Sequence, residues 1–433
     1  MNDFIELNEL LAFAREHSSF YREHFTGVPE HIRLLSELPI VDPVAYWKDS
    51  HDLDQWPVLS CAISNALIYK TGGTTGEGRF SVFDREEWRM LVQDFGNSLA
   101  QQLNAGDRVA NLFFVGDLYA SFIFVHDALA HAGPGVVEFP FTGMVEPAVL
   151  AEAIAQQRIN VLAGVPAQLL TFAAWLDQHD QTLYGVETLL YGGESLFPAQ
   201  LQLLGRVFPN VRVASMGYAS VDAGFLGASH LDCILGEHRT PDGHSVLEII
   251  DEHTGEVITE CDRIGMLVTT NLTRRLMPMI RYPVGDRACW REPCATPMRK
   301  FALMGRSADS QRVRVGILTL LIRTLGELVQ RYTGSVDWQL VIEQTGRKDV
   351  LSVKWAPVGT TLTPAEANRA LRQALIEHYP LIDQLRADQL LDLHTQCCPV
   401  EALSRHPRSG KHRQVIDLRE YDSSPQEPSS CKA

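Results

Sequence analysis

Residues 158–193 read RINVLAGVPAQLLTFAAWLDQHDQTLYGVETLLYGG. Residues 158–165 form a short apolar run closed by Gly164 and Pro166, which predicts a buried strand. A helix is expected over residues 167–178. A second strand is expected over 187–191, cut by Gly192 and Gly193. Beyond it, residues 198–208 predict a helix that opens on proline, and 211–215 a third strand. Strands that alternate with helices in this way predict an α/β fold, a largely parallel sheet covered by helices.

Working outward, Leu7, Leu10, Leu11 and Ala14 recur at helical spacing, so the first fifty residues are expected to be helical. The rhythm changes after about residue 240. Residues 246–250 and 266–270 predict strands joined by turns, an antiparallel meander or small β-barrel-like part. From residue 305 the chain has the size of a small α+β domain, with helices expected over 317–332 and 364–378. The expected division is an N-terminal domain over 1–304, a C-terminal domain over 305–421, and a Ser/Pro-rich disordered tail over 422–433.

Composition narrows the partners. The chain has 433 residues and a formal net charge of −15, which disfavours a nucleic acid or an anionic membrane as the main partner. The start lacks an apolar segment of the secretory type, and no run of about 18 apolar residues occurs. The eight cysteines are scattered and form no C-x-x-C pair. A cytoplasmic protein with reduced thiols is the expectation.

Residues 71–79 read TGGTTGEGR. Glycines let backbone N–H groups approach a polyphosphate, and short hydroxyls donate to its oxygens. The run lacks the G-K-[ST] ending of a P-loop. Read alone, it is equally a flexible Gly/Thr turn. Five further segments follow in order: YGGESL over 191–196, YASVDAG over 218–224, RYPVGD over 281–286, GRSAD over 305–309 and SGKHR over 409–413.

Together these segments resemble the motifs of the adenylate-forming superfamily, specifically its phenylacetate–CoA ligase-like branch. That branch includes relatives from antibiotic pathways, notably phenazine ones. The opening residues 14–21 are similar to that branch as well. The family's phosphate loop reads roughly S-S-G-T-T-G-x-P-K, here with Gly78 for Pro and Arg79 for Lys. The resemblance implies a large N-terminal domain followed by a small mobile α+β lid. It implies ATP-dependent activation of a carboxylic acid to an acyl-adenylate, then transfer to a thiol such as coenzyme A. An aryl or arylacetic acid is expected. Two other outcomes stay open: transfer to an amine or protein acceptor, and a nucleotide-binding relative that has lost turnover.

The same resemblance assigns residues. Thr71, Gly72, Gly73, Thr74, Thr75, Gly76 and Arg79 would hold phosphates. Gly192, Gly193 and Glu194 would line one side of the adenine, with Tyr218 stacked on it and Met216, Gly217, Ala219 and Ser220 beside it. Asp286 would accept from the ribose hydroxyls, with help from Arg306. Asp222 stands where the family has a Mg²⁺-binding Glu. Lys411 would bridge the carboxylate and the α-phosphate, with Arg306 as its catalytic companion. Ala308 stands in place of the first hinge aspartate, with Asp309 beside it. Phe139, Phe141, Val165, Pro166 and Gly217 are candidate acid-lining residues, and equally sheet core. A structural zinc at Cys233, His238 and Cys294, with Cys289 as substitute, is weighed and not favoured, because Thr296 stands where a fourth ligand is expected. A homodimer is compatible with the sequence.

Overall fold

The computed structural model describes residues 2–70, 80–193, 196, 198–241, 243–252, 254–306, 312–315, 318–345, 348–357, 363–387, 391–405 and 413–418. They divide into two compact units, one running to about residue 310 and one following it.

The first unit opens on the helices Asn2–His17, Ser19–His24 and Pro43–Trp47. Leu7, Leu10, Leu11 and Ala14 are all buried, as their spacing predicts. Ser18 breaks the first two helices apart because its hydroxyl accepts the Tyr21 N–H and caps the second. A hairpin follows, β1 (Ala66–Lys70) and β2 (Phe80–Asp84), with Lys70 paired to Phe80 at its open end.

The parallel sheet contains β3 (Arg108–Asn111), β4 (Val137–Phe139), β5 (Val161–Gly164), β6 (Thr188–Tyr191) and β7 (Arg212–Ser215) in the order β4-β3-β5-β6-β7. Helices Ser121–Leu129, Pro147–Gln157, Pro166–Gln178 and Pro198–Val207 make the crossovers. Neighbouring residues feed opposite faces: Val109, Val161 and Leu190 enter one core, while Ala110, Leu162 and Leu189 enter the other. A sheet buried on both faces has to read as a continuous apolar run, which is how residues 158–165 read.

β8 (Tyr218–Ser220) and β9 (Gly224–Gly227) form a small ribbon. Then β10 (Glu237–Arg239), β11 (Ser245–Ile250), β12 (Gly265–Asn271), β13 (Met279–Trp290) and β14 (Lys300–Arg306) form an antiparallel sheet in the order β10-β14-β13-β12-β11. The expected barrel is therefore not closed: among the described residues the outer strands β10 and β11 do not pair. The inward residues Leu247, Ile249 and Leu267 pack against Leu7, Leu10 and Tyr46 instead. Helices cover the apolar face, so curling the sheet on itself is not needed to bury it.

The second unit contains β15 (Arg312–Val315), β16 (Leu318–Leu321), β17 (Trp338–Thr345), β18 (Lys348–Trp355), β19 (Leu391–Cys397) and β20 (Val415–Asp417). The last four form one sheet in the order β19-β18-β17-β20, packed on helices Ile322–Thr333 and Pro364–His378 around Leu340, Leu351, Trp355 and Leu371. The helix expected from residue 317 starts at Ile322, because residues 318–321 pair with 312–315 as a hairpin. The second helix matches its expected bounds, and Thr363 and Glu366 form the reciprocal cap that sets its start.

Candidate active site

The carboxyl ends of parallel strands are where open α/β sheets offer a crevice, beside the point where strand order reverses. Here the chain leaves β3 for β4 on one side and β5 for β6 on the other. Val165 and Pro166 follow β5, Gly192 and Gly193 follow β6, and Met216, Gly217 and Tyr218 follow β7. The ladder continues past the strands: Gly192 N–H donates to Gly164 O at 3.2 Å, and Met216 N–H to Tyr191 O at 2.8 Å. The two sequence-predicted adenine segments are thus brought to one edge.

Gly217 is obligatory. It sits at φ +138°, and a Cβ there would lie 2.9 Å from the Phe95 ring and 3.0 Å from Gly227 O. Gly192 faces Phe113, whose ring a Cβ would meet at 3.4 Å. Phe95 and Phe113 thus pack where Cβ atoms at Gly217 and Gly192 would lie. Neither aromatic belongs to a motif, and sequence reasoning missed both.

Tyr218 is half-buried. Its ring packs on His238 at 5.7 Å and Phe301 at 6.3 Å between centroids. Its hydroxyl donates to Asp286 Oδ2 at 2.5 Å. Asp286 follows Gly285, which turns the chain at φ +84°, and lies opposite Arg306 across the β13–β14 pair. Tyr218 and Asp286, 68 residues apart, therefore meet. Arg281, just before them, does not join the site. It is buried in an ion pair with Glu248 at 2.9 Å and donates to Leu38 O.

Asp222 is held by its neighbours. Its Oδ1 accepts from Ser220 Oγ at 2.6 Å and from the Ala223 N–H at 3.0 Å. Its Oδ2 faces the Tyr282 hydroxyl at 3.4 Å, and Trp47 Nε1 donates to that hydroxyl at 2.8 Å. A fixed carboxylate with one oxygen only weakly engaged is a fitting oxygen donor for Mg²⁺. Ala219 pairs with Phe225 in the β8–β9 ribbon that carries Ser220 and Asp222.

His238 is fully buried, and its Nε2 lies 3.1 Å from Ser215 Oγ. Burial pushes the imidazole down to about 4, so the ring is neutral near pH 7. It is a packing partner of Tyr218, not the metal ligand weighed from sequence. Cys289 is buried and Cys294 is exposed, and no group of three or more metal-binding side chains occurs among the described residues. Near Cys233, charges do the joining instead: Arg239 pairs with Asp232 and with Glu292 at 2.9 Å, and Lys300 with Asp232 at 3.2 Å.

Val165 is buried in one core of the parallel sheet. Phe139 and Phe141 pack against the other core, at the carboxyl end of β4. Thr71, Gly72, Gly73, Thr74, Thr75, Gly76, Arg79, Glu194, Ala308, Asp309 and Lys411 lie outside the described residues, as does the side chain of Arg306. The run 71–79 links the paired ends Lys70 and Phe80.

No family model matches the chain. It is 26% identical over 442 residues to the phenylacetate-coenzyme A ligase of Thermus thermophilus, covering 95% of each chain. It is 27% identical over 231 residues to the indoleacetate–lysine synthetase of Pseudomonas savastanoi, covering 52% of this chain and 53% of that one. A solved structure of 2-hydroxyisobutyryl-CoA ligase, in the postadenylation state with 2-HIB-AMP, aligns with a TM-score of 0.68 at 16% identity, over 96% of this chain and 88% of that one. The fold is that of the adenylate-forming acyl-CoA ligases. In sequence, the chain is similar to phenylacetate–coenzyme A ligases.

Proposed function

We propose that this chain uses ATP to convert a carboxylic acid to an acyl-adenylate and then transfers the acyl group to coenzyme A. An aryl or arylacetic acid is the proposed substrate class. The observation that supports the reading is the hydrogen bond that joins Tyr218, next to Gly217 and on the ribbon leading to Asp222, with Asp286, in a chain that matches an acid–CoA ligase along nearly its whole length.

The chemistry asks for two anions to meet, so the site has to supply donors and cations. Asp286 accepts from the ribose hydroxyls, and Tyr218 holds that carboxylate in place from the side. Gly192, Gly193 and Gly217 are assigned to the flat base by their motif position. Asp222 is the proposed holder of Mg²⁺, which when bound screens the phosphate charge. Thr71, Thr74, Thr75 and Arg79 are assigned to the β- and γ-phosphates by their motif position. Lys411 is assigned to the carboxylate and α-phosphate, where a compact ammonium can follow moving charge. Residues 305–421 are proposed as the lid domain that carries it.

A second acceptor is favoured by one observation, the likeness to an enzyme named for joining indoleacetate to lysine. The full chain, an aryl and arylacetic acid panel, ATP and Mg²⁺ test the whole reading. Acid-dependent ATP–pyrophosphate exchange is expected, with AMP release accelerated by coenzyme A. Acceleration by lysine and not by coenzyme A would move the conclusion to the amine acceptor. No exchange with any acid would remove the enzymatic reading.

A further inference from the structure

Arg274 belongs to none of the motifs, yet it is among the largest fully buried side chains, 1% exposed. It sits in the turn between β12 and β13, where Asn271 Oδ1 accepts the N–H groups of Thr273 at 3.0 Å and Arg274 at 3.1 Å. Glu87 secures the next step by accepting from the N–H groups of Arg275 and Leu276 at 2.7 and 2.8 Å. The backbone is thereby fixed before the side chain enters the core.

Burial opposes the charge of this guanidinium, and the carboxylates of Glu87 and Asp222 favour it from a distance without forming a direct ion pair among the described residues. Its partners are of another kind. One terminal nitrogen donates to Val82 O at 2.5 Å and reaches Ser81 Oγ at 3.4 Å. The other donates to the main-chain carbonyl of Asp222. The plane sits 3.9 Å from the Phe83 ring centroid. Burying a cation on carbonyls and a ring costs stability that an apolar residue of similar size would not cost. The fork does what no apolar residue can, which is to bind two separate main-chain segments at a fixed spacing.

Those segments are the strand that leaves the Thr/Gly run, β2, and the residue proposed to hold Mg²⁺. A second, independent tie joins them: Ser81 Oγ donates to Val221 O at 2.7 Å. We infer that Arg274 is a positioning residue, which fixes the main chain of Asp222 against β2 and so sets how the Asp222 carboxylate meets the Mg²⁺ of Mg²⁺–ATP. The inference rests on the proposed function for the identity of the ligand.

The test is ATP binding by the full chain with and without Mg²⁺, measured by titration calorimetry, with unfolding midpoints recorded beside it. Arg274→Lys keeps charge and bulk but lacks the fork. It is expected to bind free ATP like the parent and to lose about tenfold of the affinity that Mg²⁺ adds, because magnesium tolerates little deviation from its octahedral geometry. Ser81→Ala is expected to lose less, in the same direction. Arg274→Lys with the full Mg²⁺ gain, or with equal losses in both conditions, would overturn the inference. If Arg274→Lys does not fold, an unchanged Mg²⁺ gain in Ser81→Ala overturns it. A parent chain that binds Mg²⁺–ATP but shows no acid-dependent exchange would defeat the proposed reaction and leave this inference standing. A parent that binds no ATP in either condition would defeat both.

Discussion

The Tyr218 hydroxyl donates to Asp286 Oδ2 at 2.5 Å, tying the β8–β9 ribbon to the long strand β13. The aromatic proposed to face the base and the carboxylate proposed to face the sugar are therefore one hydrogen-bonded pair. Tyr218→Phe keeps the ring and removes the hydroxyl. The expected result is a rise of about tenfold in the KM for ATP, the size of one hydrogen bond to a charged group, with the KM for the acid little changed. Exchange kinetics at varied ATP measure it.

Ser220 and the Ala223 N–H fix Asp222, the proposed Mg²⁺ holder, through its Oδ1. Asp222→Asn keeps the shape and loses the charge. The variant is expected to need a higher Mg²⁺ concentration for pyrophosphate exchange, and chelation with EDTA should stop exchange in the parent. An Mg²⁺ titration that superimposes on the parent's would remove Asp222 from the metal site.

Gly217 has room for no side chain. Gly217→Ala combines a positive φ with contacts below 3.0 Å to the Phe95 ring, and it is expected to cost about 1–3 kcal/mol of stability in the first unit. Denaturant unfolding followed by tryptophan fluorescence reads this directly.

Glu248 and Arg281 form a buried pair whose side chains are 8% and 4% exposed. Glu248→Gln leaves a buried cation uncompensated and is expected to cost about 3–5 kcal/mol. Because Arg281 is engaged by Glu248 and Leu38 O and not by Asp286, the KM values of the folded fraction should stay near those of the parent. A selective rise in the KM for ATP would contradict that separation.

His238 gives the molecule an acid-sensitive element. Its folded value, about 4, lies below the ordinary histidine value of 6.5, because burial disfavours the charged ring. The unfolded chain therefore binds the extra proton more readily. Stability from this group is present above about pH 6.5 and is lost as pH falls toward 4, by an amount on the order of 3 kcal/mol. His238→Gln should flatten that part of the curve. Unfolding free energies at pH 7, 5.5 and 4.5 for parent and variant make the comparison.

What the sequence reveals depends on whether the cause is local. The strands around residues 161–164 and 188–191 are legible because both faces of the parallel sheet are buried, which leaves a continuous apolar signature. Thr363 and Pro364 announce their helix through cap chemistry confined to four residues. The antiparallel meander is legible at residues 246–250 and 266–270, but its failure to close is not, because that depends on helices some two hundred residues earlier in the chain. Residues 318–321 carry helix-compatible leucines, and only their pairing with 312–315 makes them a strand. At the site, Tyr218, Asp222 and Asp286 are findable by motif. Phe95, Phe113 and Arg274 are not, since their roles come from contacts across long sequence separations. His238 is visible as a residue, but its neutrality follows from burial, which no spacing encodes.

The pairing of Lys70 with Phe80 fastens both ends of the nine-residue Thr/Gly run to a single rung of a hairpin. Doubling the run's length would cost only about 0.6 kcal/mol of closure entropy. Length changes in that run should therefore weaken the proposed phosphate contacts long before they unsettle the hairpin, so ATP binding and unfolding free energy can be separated at this one position.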